Sequence, residues 1–226
     1  WLLDRKPGGA AWSDRSAGRE YEDNAWRASR RETLQRLLGL GIQPHLLTRL
    51  DPAALDGIRV LILPHAIALS DDDVAAIRAF TASGGNVFAD TEPGLFDAHG
   101  RLRQPPLAPL APVPEALQLA GTPPSQPTLD AEAALLAAAG VTPRAVFRAA
   151  NGGRAPGLEA RWFRHGNQDL LSIQPIAPYA APPEIEIEFP TTVIAQDLRH
   201  PTPPLSGRRI RLTLDPAEPA ILSLTR

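Results

Sequence analysis

Leu55-Asp56-Gly57-Ile58-Arg59-Val60-Leu61-Ile62-Leu63-Pro64, followed by Leu69-Ser70 and then by Gly84-Gly85-Asn86-Val87-Phe88-Ala89-Asp90, is the run that decides the fold class. Val60 to Leu63 is an unbroken β-branched and leucine run, the pattern of a strand buried on both faces. Ser70 with Asp73 three residues on predicts a capped helix start, and Val74, Ile77 and Phe80/Thr81 fall on one helical face. Gly84-Gly85 stops that helix, and Asn86 to Asp90 reads as the next strand. Strand, helix, strand with short joints predicts a parallel sheet with right-handed crossovers and helices on both faces, a flavodoxin-like α/β architecture.

Toward the amino terminus, Trp1 to Asp4 reads as the end of a buried strand, followed by a Gly/Ser/Arg-rich loop. A helix is expected from about Glu20 to Leu40. Glu20, Glu22 and Asp23 complement the positive end of its dipole, and Asp23/Arg27 and Glu32/Arg36 are spaced i, i+4. A short strand near Ile42 to Leu47 and a helical turn opened by Asp51-Pro52 complete this part.

Toward the carboxyl terminus the organisation changes. Eight prolines lie between Arg101 and Asp130, which predicts an extended wrap or linker over 101–128. After a short helix, Leu129 to Ala139, the apolar period becomes two. Leu158 to Arg164 and Asp169 to Ile173, joined at His165-Gly166-Asn167, read as a β-hairpin. In Glu184 to Phe189 the residues Ile185, Ile187 and Phe189 share one face. Arg209 to Leu214 and Ala220 to Leu224 read as a second hairpin. The chain is therefore divided into an α/β domain, 1–143, and a small antiparallel β-sandwich domain, 144–226, of immunoglobulin-like size.

The 226 residues are 43% hydrophobic, enough for two small cores, and 23 basic residues nearly balance 25 acidic ones. That balance gives no basic face for nucleic acid and no polybasic membrane anchor. No apolar run approaches the ~20 residues needed to span a bilayer. A soluble protein is expected, with the cytoplasm favoured. Cysteine is absent, which removes disulfides, thiolate metal sites and a cysteine nucleophile. Methionine is absent too and the chain opens on Trp1, so it reads as a fragment or processed product, with any signal peptide upstream. Lys6 is the single lysine, which reads as codon bias in a GC-rich bacterial genome.

The order Leu2-Leu3-Asp4, helix, Leu55 to Pro64, Leu69-Ser70, Ala79-Phe80 and Gly84-Gly85-Asn86-Val87-Phe88 resembles the trimerisation domain of family 42 β-galactosidases. That domain is similar in fold to class I glutamine amidotransferases. The tail, from Ala160-Arg161-Trp162-Phe163 through Leu212-Thr213-Leu214-Asp215-Pro216 to Ala220-Ile221-Leu222-Ser223-Leu224, looks like the small β domain that follows it in that family. The resemblance implies a parent glycoside hydrolase with a catalytic barrel upstream, a homotrimer, and a role for this segment in assembling subunits and walling the active site.

The chemistry legible in the residues points away from catalysis here. An amidotransferase needs a cysteine on a strand-to-helix elbow, and a serine hydrolase a Gly-x-Ser-x-Gly. The chain instead reads Pro64-His65-Ala66 after its strand. Glycoside hydrolysis needs two facing carboxylates. Glu184, Glu186 and Glu188 repeat at about 6.8 Å along one strand, but their alternation with Ile185, Ile187 and Phe189 is that of a solvated strand face. Five histidines are scattered without metal-ligand spacing, so no catalytic residue, metal or cofactor is assigned. Asp4, His65, Asp90 and Glu92 fall at strand ends, where open parallel sheets form their crevices, and are expected to cluster at one edge as a ligand or packing site. Arg27, Arg30 and Arg31 form a candidate subunit interface or a solvated helix face. The main reading is an accessory region of a β-galactosidase-like enzyme in carbohydrate metabolism; the alternative is a free-standing small-ligand or sugar-binding module.

Overall fold

The computed structural model describes residues 2–3, 25–118, 125–176, 181–200 and 202–225. They fall into two compact units. The first draws on Trp1–Leu34, Pro44–Ala120 and Leu135–Val141, and the second on Gln35–Gln43, Gly121–Ala134 and Thr142–Arg226.

The first unit contains a four-stranded parallel sheet of β1 (Leu2–Leu3), β2 (Leu46–Leu47), β3 (Val60–Leu63) and β4 (Asn86–Ala89), in the order β2-β1-β3-β4. All four residues of β3 are buried, as an unbroken apolar run requires. The helix α1 covers Ala25–Gly39, so Glu20, Glu22 and Asp23 lie outside the described residues. The strand expected over Ile42 to Leu47 shortens to its last two residues; Pro44 lacks the N–H that a longer ladder needs, and β2 is an edge strand. After the turn α2 (Pro52–Leu55) comes α3 (Asp71–Ala82). Ser70 and Asp73 form a complete capping box at its start, and Val74, Ile77 and Phe80 are buried along its inner face. Gly84 takes φ +94°, and any Cβ on Gly85 would run into the Phe80 ring, so both glycines are required at this stop. The core is built from Leu61, Leu63, Leu69, Val74, Ile77, Phe80, Val87 and Ala89.

The second unit is antiparallel. The helix α4 (Gln126–Ala138) has its residues up to Ala134 in this unit. Its strands are β5 (Val146–Ala149), β6 (Leu158–His165), β7 (Gln168–Pro175), β8 (Glu184–Asp197), β9 (Leu205–Thr213) and β10 (Ala220–Thr225). They form one hydrogen-bonded sheet in the order β5-β8-β10-β7-β6, with β9 on the other edge of β8. The hairpin of β6 and β7 turns at Gly166-Asn167, with Gly166 at φ +56°. The second expected hairpin does not form. β9 pairs with β8, while β10 is inserted between β7 and β8. β8 makes this possible: a register shift between Glu188 and Val193 lets its first half pair with β5 and its second with β10. Placed in the middle, β10 has both backbone edges satisfied and buries Leu222 and Leu224. Ile185, Ile187, Phe189, Ile210 and Leu214 join them in the core, and Leu212 packs against it.

Candidate functional site

Strand β3 delivers the chain to Pro64 and His65, and β4 delivers it to Asp90, at the same carboxyl end of the parallel sheet. The two following loops are stitched together by backbone hydrogen bonds. Gly94 N–H donates to Ala66 at 2.9 Å, Phe96 N–H to Ile67 at 2.8 Å and Leu69 N–H to Phe96 at 3.1 Å. Ile67, Ala68 and Phe96 form a small apolar cluster there. His65 and Asp90 therefore sit on a braced scaffold.

His65 adopts φ +48°, the left-handed region that side chains with a Cβ rarely enter. Its N–H donates to Asp90 Oδ1 at 2.7 Å. The other oxygen, Oδ2, accepts from the Ser29 hydroxyl on α1. All three residues are buried, His65 and Asp90 at 5% exposure and Ser29 at 0%. The His65 ring takes no part in this network: Nδ1 and Nε2 are buried without a hydrogen-bond partner, and so is Oγ1 of Thr91, next in sequence to Asp90. Burial lowers the pKa of His65 and outweighs the Asp90 charge, which acts in the opposite direction. The imidazole is accordingly neutral at physiological pH.

Of the residues expected at this edge, His65 and Asp90 meet, Glu92 is exposed just beyond, and Asp4 lies outside the described residues. Ser29 had no signal in the sequence, because a serine in mid-helix is ordinarily a surface residue. Its bond to the carboxylate does not make a hydrolase triad, since the base must touch the nucleophile and the imidazole touches neither partner. On α1, Arg27 and Arg31 are exposed and Arg30 stacks 4.3 Å over the Trp26 ring. A cavity of about 660 Å³ opens at the other end of the sheet, beside Ile58, Arg59, Gly85 and Asn86, away from His65 and Asp90.

In the second unit the acids of β8 are committed to arginines. Glu188 accepts from Arg148 Nε at 2.9 Å and from Arg209 at 3.3 Å; Glu186 lies 3.7 Å from both Arg209 and Arg211. The bond from Arg148 is the leading cause that holds the Glu188 carboxyl below its ordinary range. A glycosidase proton donor needs the opposite shift. A cavity of about 500 Å³ adjoins this ladder at Arg148, Glu184, Glu186 and Arg211. Elsewhere in the same unit Arg36 Nε meets Glu132 Oε2 at 2.8 Å, both side chains almost wholly buried. Burial outweighs the arginine and pushes Glu132 up to about 7. Among the described residues no cluster of three metal-ligating side chains occurs, and no helix is long and apolar enough to cross a membrane.

No family model matches the sequence, and no curated protein matches it. Solved structures do. The chain is similar to Gan42B, a GH42 β-galactosidase from G. stearothermophilus, with 13% identity and a TM-score of 0.61, covering 100% of this chain and 40% of that one. It is similar to a β-galactosidase from Bacillus circulans sp. alkalophilus at 12% identity and TM-score 0.59, covering 88% and 38%. A GH42 exo-carrageenase from Bacteroides ovatus gives 14% and 0.50, covering 86% and 26%. The likeness is one of fold, and the chain spans between 26% and 40% of the length of these proteins.

Proposed function

We propose that this chain is a non-catalytic accessory region of a β-galactosidase-like glycoside hydrolase, serving subunit assembly and active-site framing. The observation that carries the reading is the extent of the likeness: all of this chain aligns within 40% of a GH42 β-galactosidase. The sheet order β2-β1-β3-β4 supports a flavodoxin-like, amidotransferase-like first unit, since it repeats the opening of the 2-1-3-4-5 order. The curled antiparallel sheet, bent at the β8 bulge, supports a sandwich-like second unit. The arginine-bound acids of β8 favour an accessory role over a catalytic one.

In this reading the chain forms a homotrimer in a bacterial, cytoplasmic enzyme of carbohydrate metabolism, beside the catalytic barrel of the parent. Arg27, Arg30 and Arg31 face the neighbouring subunit. Light scattering on the purified chain tests the assembly. A trimer is expected, dissociating when all three arginines are changed to glutamate. A wild-type chain that stays monomeric at every concentration, or a trimer indifferent to the triple change, overturns the assignment of assembly to this surface.

A further inference from the structure

Outside the His65–Asp90 network, the first unit opens a cavity of about 580 Å³ lined by Asp71 and Arg78 of α3 and by Asp97, Arg101 and Arg103 of the segment beyond Phe96. That volume suits a small organic molecule. The segment is built to hold its shape. Asp97 N–H donates to the Arg101 carbonyl at 2.9 Å and Arg103 N–H to the Leu95 carbonyl at 3.1 Å, while Asp97 Oδ1 accepts from the N–H groups of His99 and Arg101 at 2.8 and 2.9 Å. Arg103 ties it to the start of α3: Nη1 donates to Asp71 Oδ1 and Nη2 to the Leu69 carbonyl, both at 2.6 Å. Arg78 stands two helical turns beyond Asp71 and so shares its face of α3.

The other two arginines are not spent in this way. Arg78 and Arg101 are exposed, and neither side chain makes an ion pair or a hydrogen bond among the described residues. A guanidinium presents paired N–H donors that match the two oxygens of a carboxylate. Three arginines face two aspartates around the cavity, and both aspartates are already engaged by donors, so the surplus is one positive charge, which suits a monoanion. Oδ2 of each aspartate is left to accept from hydroxyl groups. Leu102, 48% exposed, lies with Pro105 and Pro106 along the same cavity and adds an apolar wall for the C–H face of a ring.

We propose that this cavity binds a small hydroxyl-bearing monoanion of the sugar-acid class, its carboxylate held by Arg78 and Arg101 and its hydroxyls by Asp71 and Asp97. The site uses no residue of α1, so it stands apart from the assembly role. Calorimetry on the full chain tests it, with D-galacturonate as the probe, D-galactose as its neutral counterpart and acetate as the bare carboxylate. Galacturonate is expected to bind saturably, with galactose and acetate each weaker by about tenfold or more. Arg78→Ala and Arg101→Ala remove exposed side chains, leave the core intact, and each weaken galacturonate by about tenfold. Absence of saturable galacturonate binding, galactose or acetate binding as tightly, or an affinity unchanged when both arginines are replaced overturns the proposal. The comparison of the three probes on the wild-type chain decides the matter even if a variant fails to fold.

Discussion

At the scale of single residues, two buried titratable groups give stability opposite dependences on pH. His65 has a folded-state pKa below its ordinary 6.5, so the unfolded chain takes up the proton first. Its contribution is intact above about pH 6.5 and is lost as pH falls toward the lower folded value. Glu132 has its folded pKa raised from 4.5 to about 7, so its contribution is present below about pH 4.5 and is lost as pH rises through 7. A shift of that size corresponds to roughly 3 kcal/mol across the window. Thermal melts at about pH 5 and about pH 7.5 separate the two groups. His65→Phe should lose less stability than wild type on acidification, and Glu132→Gln should lose less on alkalinisation. Identical pH slopes in wild type and both variants would show that neither group is buried as described. Of these residues, His65 and Asp90 were legible together, because both fall at the carboxyl ends of strands predicted to lie in one parallel sheet. The Arg36–Glu132 pair was not legible, since its members stand 96 positions apart and the sequence carries no mark of burial on either.

At the scale of elements, local patterns were readable and long-range pairings were not. The capping box of α3, its Gly-Gly stop and the β6–β7 turn are written within a few residues, and each stands where the pattern placed it. The insertion of β10 between β7 and β8 depends on the bulge in β8 and on both edges of β10 being satisfied, neither of which a neighbouring residue records. The alternation in β8 nevertheless gave the correct faces. Ile187 lies at 0% exposure opposite Ile210, while Glu186 opposes Arg211 and Glu188 opposes Arg209 on the other face. Ile187→Asp places an unpaired charge in the core and should unfold the second unit. Glu186→Ala removes only the two 3.7 Å ion pairs on a partly exposed face and should change stability by less than about 0.5 kcal/mol. Denaturant titration checks both, and equal effects would mean that the faces of β8 are reversed.

At the scale of the whole molecule, the fold likeness and the local chemistry lead to one expectation, that the isolated chain turns over neither glutamine nor an aryl β-galactoside. The first follows from the absence of cysteine together with an elbow position occupied by His65, whose ring touches no nucleophile. The second follows from electrostatics. Retaining and inverting glycosidases alike need one carboxylic acid that stays protonated near neutrality, facing a second across the sugar. Glu188 is held ionised by Arg148 and Arg209 and so cannot supply that proton, while Glu186 is ion-paired with Arg209 and Arg211 on the same strand face. Glu132 has the raised pKa but is sealed in the interior against Arg36, where no sugar reaches it. Assays on purified chain, run beside Glu186→Gln and Glu188→Gln, should therefore give the same background rate in all three. Turnover that persists in both variants would place a catalytic site elsewhere in the chain; turnover abolished by them would convert the β8 ladder from a charged outer face into an active site and remove the accessory reading with it.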